Sequence, residues 1–315
     1  MPDQSSRFLS FSKITLVTIY LVILAGAIVR STGAGMGCPD WPKCFGKWVP
    51  PTDESQLPSD YHDIYKDRGY ADTTFNVYHT WTEYINRLMG ALLGVFVFVT
   101  FILSLKYRKS NPSITYLCTV EVLLIGFQGW LGALVVSSNL APVKVTVHML
   151  IALSIVALSI YIISKISNKP TPSLKNNYKQ IKNVLILCLL FSIFQILIGT
   201  QVRERIDKIS FSLDYEHRDT WISYIGTYFE IHRIFAIAIV LINFYLFRLM
   251  LKEENTLSSY IKIMISLIIG EILVGLVLSY FSLPSYAQPL HLLLASIVFG
   301  VQFYLFTKIV NVRNT

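Results

Sequence analysis

Charge is what this chain has least of. Only 15% of its 315 residues are Asp, Glu, Lys or Arg, and long stretches hold none at all. Together with a mean hydropathy of +0.53, that scarcity excludes a soluble domain of this length, whose surface needs far more charge. Strict alternation of apolar and polar residues is also missing, which excludes a transmembrane β-barrel. No basic stripe lies outside the connecting loops, so the net charge of +8 does not point to nucleic acid. Low-complexity linkers are absent, and cysteine occurs only four times.

What is present is a series of eight apolar runs, at 14–31, 80–105, 114–136, 145–164, 184–203, 227–248, 263–283 and 289–308. Each is long enough to cross a bilayer core as a helix, and a helix satisfies its own backbone in lipid. The expected fold is therefore all-α, a membrane protein of eight transmembrane helices. The second run is the least apolar, because Glu83, Asn86 and Arg87 lie in its first turns. Polar residues at that depth face a bundle interior and mark function.

Cationic loops set the orientation. Lys106, Arg108 and Lys109 follow the second run. Lys165, Lys169, Lys175, Lys179 and Lys182 follow the fourth, and Arg248, Lys252 and Lys262 the sixth. These loops and both termini are expected on the cytoplasmic side, leaving polar segments 32–78 and 204–226 outside. Arg7 and Lys13 before the first run, and Ala25-Gly26-Ala27 near its end, resemble a signal peptide. The internal repeat described next requires this helix to remain. Cys118 and Cys188 fall inside helices and read as small apolar residues. Cys38 and Cys44 share the first outer segment, where a disulfide is chemically permitted. Free thiols, or a metal pair short of partners, are the alternatives.

The two halves, 1–170 and 171–315, can be laid over one another. Gly26-Ala27-Ile28-Val29-Arg30 matches Gly199-Thr200-Gln201-Val202-Arg203, and Tyr84-Ile85-Asn86-Arg87 matches Glu230-Ile231-His232-Arg233. Gln128 to Gly132 matches Glu271 to Gly275, and the interval from Gly132 to His148 equals that from Gly275 to His291. Each half holds four crossings and so begins on the same side. That parallel repeat argues against an inverted-repeat transporter. The expected architecture is two pseudo-repeated four-helix bundles. Gly90 and Gly94 form a GxxxG pattern suited to packing helices within or between chains, so an oligomer is compatible with the sequence.

Of six histidines, His62 and His217 lie in outer segments and read as surface. His79, His148, His232 and His291 lie near outer helix ends. A lone intramembrane histidine is an ordinary packing or proton-relay residue. A pair at matched depth on two helices, repeated in register with glycines and arginines, instead fits the two axial ligands of a haem. Arg30, Arg87, Arg203 and Arg233 are candidates to hold haem propionates through their guanidinium forks, with anchoring at the headgroup level as the alternative. The halves differ at one position. Asn86 stands where the second half has His232, with Glu83 one turn before it and His79 another turn before that. The second half thus reads as a bis-histidine haem site. The first reads as a site with one firm ligand, His148, a carboxylate, and an open or weak iron position.

Several segments carry a resemblance to a known family: STGAGMGCPDWPKC at 31–44, TEYINR at 82–87, His148, EIHR at 230–233 and PLH at 289–291. Over nearly its whole length the chain resembles the haem A synthases of respiratory bacteria and mitochondria. The resemblance implies conversion of haem O to haem A by oxidation of a ring methyl to a formyl group. It implies a cofactor haem b in the second half, ligated by His232 and His291, and the substrate haem O in the first. It implies a catalytic role for Glu83, whose other reading is an ion pair with Arg87 at i+4, and it matches Cys38 and Cys44 to a family cysteine pair. The chain departs from the family at Asn86, where relatives carry histidine. Either His79 takes over with altered geometry, or His148 alone holds the iron, or activity is lost. The cysteine pair that some relatives carry in the second outer loop is missing here.

The expected setting is a bacterial cytoplasmic (inner) membrane, with a haem O synthase and a membrane electron acceptor as partners. The expected chemistry is successive oxidation of the methyl, with Glu83 as base or as a fixed negative charge and electrons leaving through haem b. Competing readings are a non-enzymatic membrane cytochrome b, a transporter and a haem-free oxidase assembly factor. Glu271, ionisable within a helix, gives the cytochrome some weight.

Overall fold

A computed structural model describes residues 4–71, 73–167, 177–253 and 257–312. The described residues contain eight helices long and apolar enough to span a membrane, and no β-strand. They are α1 (Gln4–Ser31), α2 (Val77–Ser104), α3 (Pro112–Ser137), α4 (Pro142–Ile166), α5 (Tyr178–Ser212), α6 (Thr227–Leu251), α7 (Ser258–Tyr280) and α8 (Ala287–Val312). The chain is a multi-pass membrane protein. It divides into two compact units, 1–159 and 160–315, and α4 runs across the division. The boundary expected at 170/171 lies outside the described residues, as do Lys169 and Lys175.

Each unit inverts the burial pattern of a soluble protein. Along α6, Ile231, Ile234, Ile237, Leu241 and Phe244 are exposed at helical spacing, while the polar Asn243 is fully buried. In water such an apolar stripe would promote association. Around a membrane protein it meets lipid, and polar groups turn inward to find partners. In the carboxyl-terminal unit, Ser192 donates to Gln302 at 2.8 Å, and Gln302 donates to Asn243 at 3.0 Å, inside a core of Ile181, Leu185, Leu246, Ile261 and Leu305. In the amino-terminal unit, Thr15 and Thr100 join α1 to α2 at 3.0 Å, and Ser159 donates to the buried Glu121. Gly94 packs near Ile125 of α3, while Gly90 faces open space.

The polar segments between helices differ from expectation in one respect. Helix α5 does not stop at 203 but continues to Ser212. Ion pairs at i,i+4, Arg203–Asp207 at 2.8 Å and Glu204–Lys208 at 2.6 Å, support the extra turns. Ile206 is also buried there, in a small core with Trp221, Ile225 and Leu283.

The segment between α1 and α2 is an ordered cap. Phe45 is its core, ringed edge-on by Tyr61, Tyr65, Tyr70 and Phe75 at centroid distances of 5.3–6.4 Å. Edge-to-face packing of this kind adds to the burial itself. Tyr70 donates to Met36 at 2.8 Å. Burial, with the nearby Glu83 carboxylate next, pushes its phenol well above the ordinary value, so it keeps the proton it donates.

Candidate functional site

In four places a glycine on one helix faces a polar side chain on the next. A Cβ built on Gly199 of α5 meets His232 Cε1 of α6 at 3.4 Å, and one on Gly275 of α7 meets His291 Cε1 of α8 at 3.5 Å. In the amino-terminal unit, a Cβ on Gly132 of α3 meets His148 Cε1 of α4 at 3.6 Å, and one on Gly26 of α1 meets Asn86 Oδ1 of α2 at 3.9 Å. At these distances an added Cβ would just touch the ring or carboxamide, so a residue without a side chain lets that group stand close against the helix. Asn86 thus stands beside Gly26 as His232 stands beside Gly199.

The carboxyl-terminal unit brings two imidazoles together, steeply inclined to one another. The His232 and His291 rings lie 6.4 Å apart, centre to centre, at 65°. With metal–imidazole bonds of about 2 Å, that gap accepts one metal ion between the rings. His232 Nδ1 and His291 Nδ1 are buried without a hydrogen-bond partner, and such orphaned groups cost about 1–3 kcal/mol each. A bare ion held by protein alone needs three or four donors, and no cluster of three His, Cys, Asp or Glu forms among the described residues. A porphyrin supplies its own four in-plane nitrogens and needs only two axial ones. The pair thus fits a haem iron on the donor set present.

Two glutamines support the histidines, Gln195 unmarked in the sequence and Gln128 marked there only as part of the repeat. Gln195 donates to the His232 carbonyl at 3.0 Å, and Gln128 donates to the His148 carbonyl at 2.9 Å. Glu271 takes the third such place, its Oε1 3.1 Å from His291 Nδ1, an approach without hydrogen-bond alignment. Each lies four residues before its glycine, hence on the same helix face. The signal was a polar residue, three intervening residues and a glycine, and only Gln128 and Glu271 had been noticed. Groups of this kind fix how a metal-binding histidine points.

In the amino-terminal unit His148 Nδ1 and Asn86 Oδ1 are likewise buried and unpartnered. His79 is not beside them. It sits in the first turn of α2, whose N-cap Asn76 accepts its backbone N–H, about 10 Å along the axis from Asn86 at 1.5 Å per residue.

Glu83 is buried, and both its oxygens are engaged. Oε2 accepts the Cys38 backbone N–H at 3.0 Å, and Oε1 accepts Arg87 Nε at 3.1 Å and Nη2 at 2.5 Å. Arg87 also donates to the carbonyls of Asp40, Lys43 and Cys38 at 2.7, 3.0 and 3.1 Å. Cys38 and Cys44 are joined as a disulfide, so the pair clamps the closed loop to α2. Thr80 donates to the Gly37 carbonyl at 2.8 Å. A Cβ at Gly37 would come within 2.4 Å of the His79 carbonyl oxygen; only glycine allows this approach.

The other three candidate arginines sit in different settings. Arg30 is in the last turn of α1 and half-buried. Arg203 pairs with Asp207 and donates to Gln288. Arg233 is exposed, paired with Glu230 at 2.6 Å.

A family model described as "Cytochrome oxidase assembly protein" (COX15-CtaA) matches residues 10–303. Among curated proteins, a "Heme A synthase" of Shewanella oneidensis is 31% identical over 187 residues, 59% of this chain and 54% of that protein. One of Flavobacterium johnsoniae is 28% identical over 132 residues, 39% of this chain and 38% of that protein. One of Shouchella clausii is 31% identical over 123 residues, 38% and 33% respectively. The matched stretch spans about half the length of these relatives at most.

Proposed function

The chain belongs to the cytochrome oxidase assembly protein family, and from that premise we propose that it is a membrane oxidoreductase converting haem O to haem A. The observation that carries the reading is the facing pair His232 and His291, each against a glycine and with an orphaned ring nitrogen. These two residues hold a resident haem b. His148, in the matching setting of the amino-terminal unit, holds the iron of the substrate haem O.

When bound, haem b supplies electron transfer, which no side chain here provides. The chain's own residues position and polarise. Gln195 and Gln128 tether the backbone at His232 and His148, and Glu271 stands beside His291. Glu83 is the proposed catalytic carboxylate. Held by Arg87 and the Cys38 amide, it presents its charge without needing to reorganise, the arrangement that stabilises positive charge developing on the methyl carbon under oxidation. Arg87 is committed to the loop, so we assign propionate binding to Arg30, Arg203 and Arg233. The disulfide loop faces the outside of a bacterial cytoplasmic membrane and both termini the cytoplasm, following the cationic loops. A haem O synthase and a membrane electron acceptor are the partners.

Co-expression with a haem O synthase, haem extraction and mass identification test this reading. Haem A or its hydroxymethyl precursor is the expected product. Haem b beside untouched haem O, under conditions where a relative converts it, would replace the enzyme with an electron-transfer cytochrome.

A further inference from the structure

We infer that the substrate iron in the amino-terminal unit is bonded to His148 alone, and that Asn86 lines an open iron face where the carboxyl-terminal unit has a second imidazole. This rests on the haem O reading of that unit and sharpens it.

The two units provide the internal control. A Cβ built on Gly199, Gly275 or Gly132 would meet an imidazole carbon at 3.4–3.6 Å. One built on the fourth glycine, Gly26, would meet the carboxamide oxygen of Asn86 at 3.9 Å. The backbone setting is kept, but the group within it is smaller and chemically different. Imidazole is a good ligand for iron, whereas neutral carbonyl oxygen suits Mg, Ca and Mn. A carboxamide also ends short of the far ring nitrogen of a histidine. Asn86 Oδ1 is nevertheless buried and has no hydrogen-bond partner. It costs free energy there unless a bound molecule supplies a partner.

Other donors on α2 do not fill the vacancy. His79 is two turns away, about 10 Å along the helix, and its backbone is locked against Gly37. Glu83 is one turn away, but the Cys38 amide and Arg87 occupy both its oxygens. Swinging it to iron would break the clamp on the disulfide loop. Of the two ligation routes among the alternatives the sequence left open, this geometry favours His148 alone. An iron with one axial ligand is high-spin and accepts small ligands; an iron with two imidazoles is low-spin and does not.

The test uses the full chain in detergent, holding its resident haem b and loaded anaerobically with haem O, with carbon monoxide as the probe. The expected result is one low-spin and one high-spin ferric signal, and uptake of one equivalent of carbon monoxide per chain after reduction. Asn86→His is expected to abolish that uptake and turn the high-spin signal low-spin. Asn86→Ala, which supplies no ligand, is expected to keep both. The unchanged low-spin haem b signal reports folding in each variant. Two low-spin haems and no carbon monoxide uptake in the parent protein would overturn the inference while leaving the haem O reading intact. Extraction showing that no haem O is retained would instead overturn the haem O reading, and this inference with it.

Discussion

The two units share one local device and put it to different uses. In each, glycines stand opposite the positions where iron ligands are expected, and a glutamine donates to the carbonyl of a histidine. The carboxyl-terminal unit fills both positions with imidazole and leaves its outer ion pair, Glu230–Arg233, exposed on both sides. The amino-terminal unit fills one position with imidazole and one with a carboxamide. It buries its ion pair, Glu83–Arg87, under a disulfide-closed loop. On the function proposed above, one unit would keep a permanent ligand set, and the other, beneath its loop, would take a haem that must enter, react and leave.

The largest effect expected from this contrast is in haem retention. On the proposed ligation, His232→Ala or His291→Ala would remove one of two ligands, and each is expected to strip the purified protein of nearly all its haem b. Asn86→Ala is expected to leave haem b content unchanged. Pyridine haemochrome spectra of the purified variants measure this directly. A His232→Ala protein that kept a low-spin haem b would break the comparison, since the facing imidazoles would then not be the ligands.

The ion pairs give the second contrast. Arg87 and Glu83 side chains are only 12% and 4% exposed, and removing one partner of a buried pair costs about 3–5 kcal/mol because the other charge is stranded. Arg87 keeps three carbonyl acceptors, so Glu83→Ala is expected at the lower end, about 3 kcal/mol. Glu230→Ala, in a pair 61% and 50% exposed, is expected to cost about 1 kcal/mol or less. Thermal melting in detergent, together with the rate at which reductant opens Cys38–Cys44, separates the two. Equal melting shifts, with no faster reduction in Glu83→Ala, would show that the clamp does not hold the loop.

Much of this was legible in the sequence, for reasons that vary from residue to residue. The eight spans were readable because lipid demands long uncharged runs. The place of Asn86 was readable because flanking residues repeat around it. The extension of α5 to Ser212 was not, since hydropathy falls after Arg203 while i,i+4 ion pairs and the burial of Ile206 keep the helix going. The pairing of Glu83 with Arg87 was foreseen from their spacing. That Arg87 also gathers three carbonyls of the disulfide loop was not, because those contacts join residues more than forty positions apart and use backbone atoms, which carry no sequence signature. Gln195 was overlooked for a simpler reason: it sits in an apolar run whose only other mark is the glycine four residues on.

The smallest effect is the sharpest probe of the glycines. A methyl at Gly199 would touch His232 Cε1 at 3.4 Å, whereas one at Gly26 would stand 3.9 Å from Asn86 Oδ1. Neither distance forbids folding, and alanine favours a helix over glycine by up to about 1 kcal/mol. Gly26→Ala is therefore expected to hold its melting temperature or raise it slightly, with haem b untouched. Gly199→Ala is expected to keep its fold but lose haem b severalfold faster to an apo-globin acceptor, because the added methyl presses on the axial imidazole. The informative comparison adds haem O. If Gly26→Ala speeds haem O loss as much as Gly199→Ala speeds haem b loss, then Asn86 is held against the iron as a ligand is, and the two units are alike after all. If haem O loss is unchanged, Gly26 serves a face of the substrate that no side chain binds.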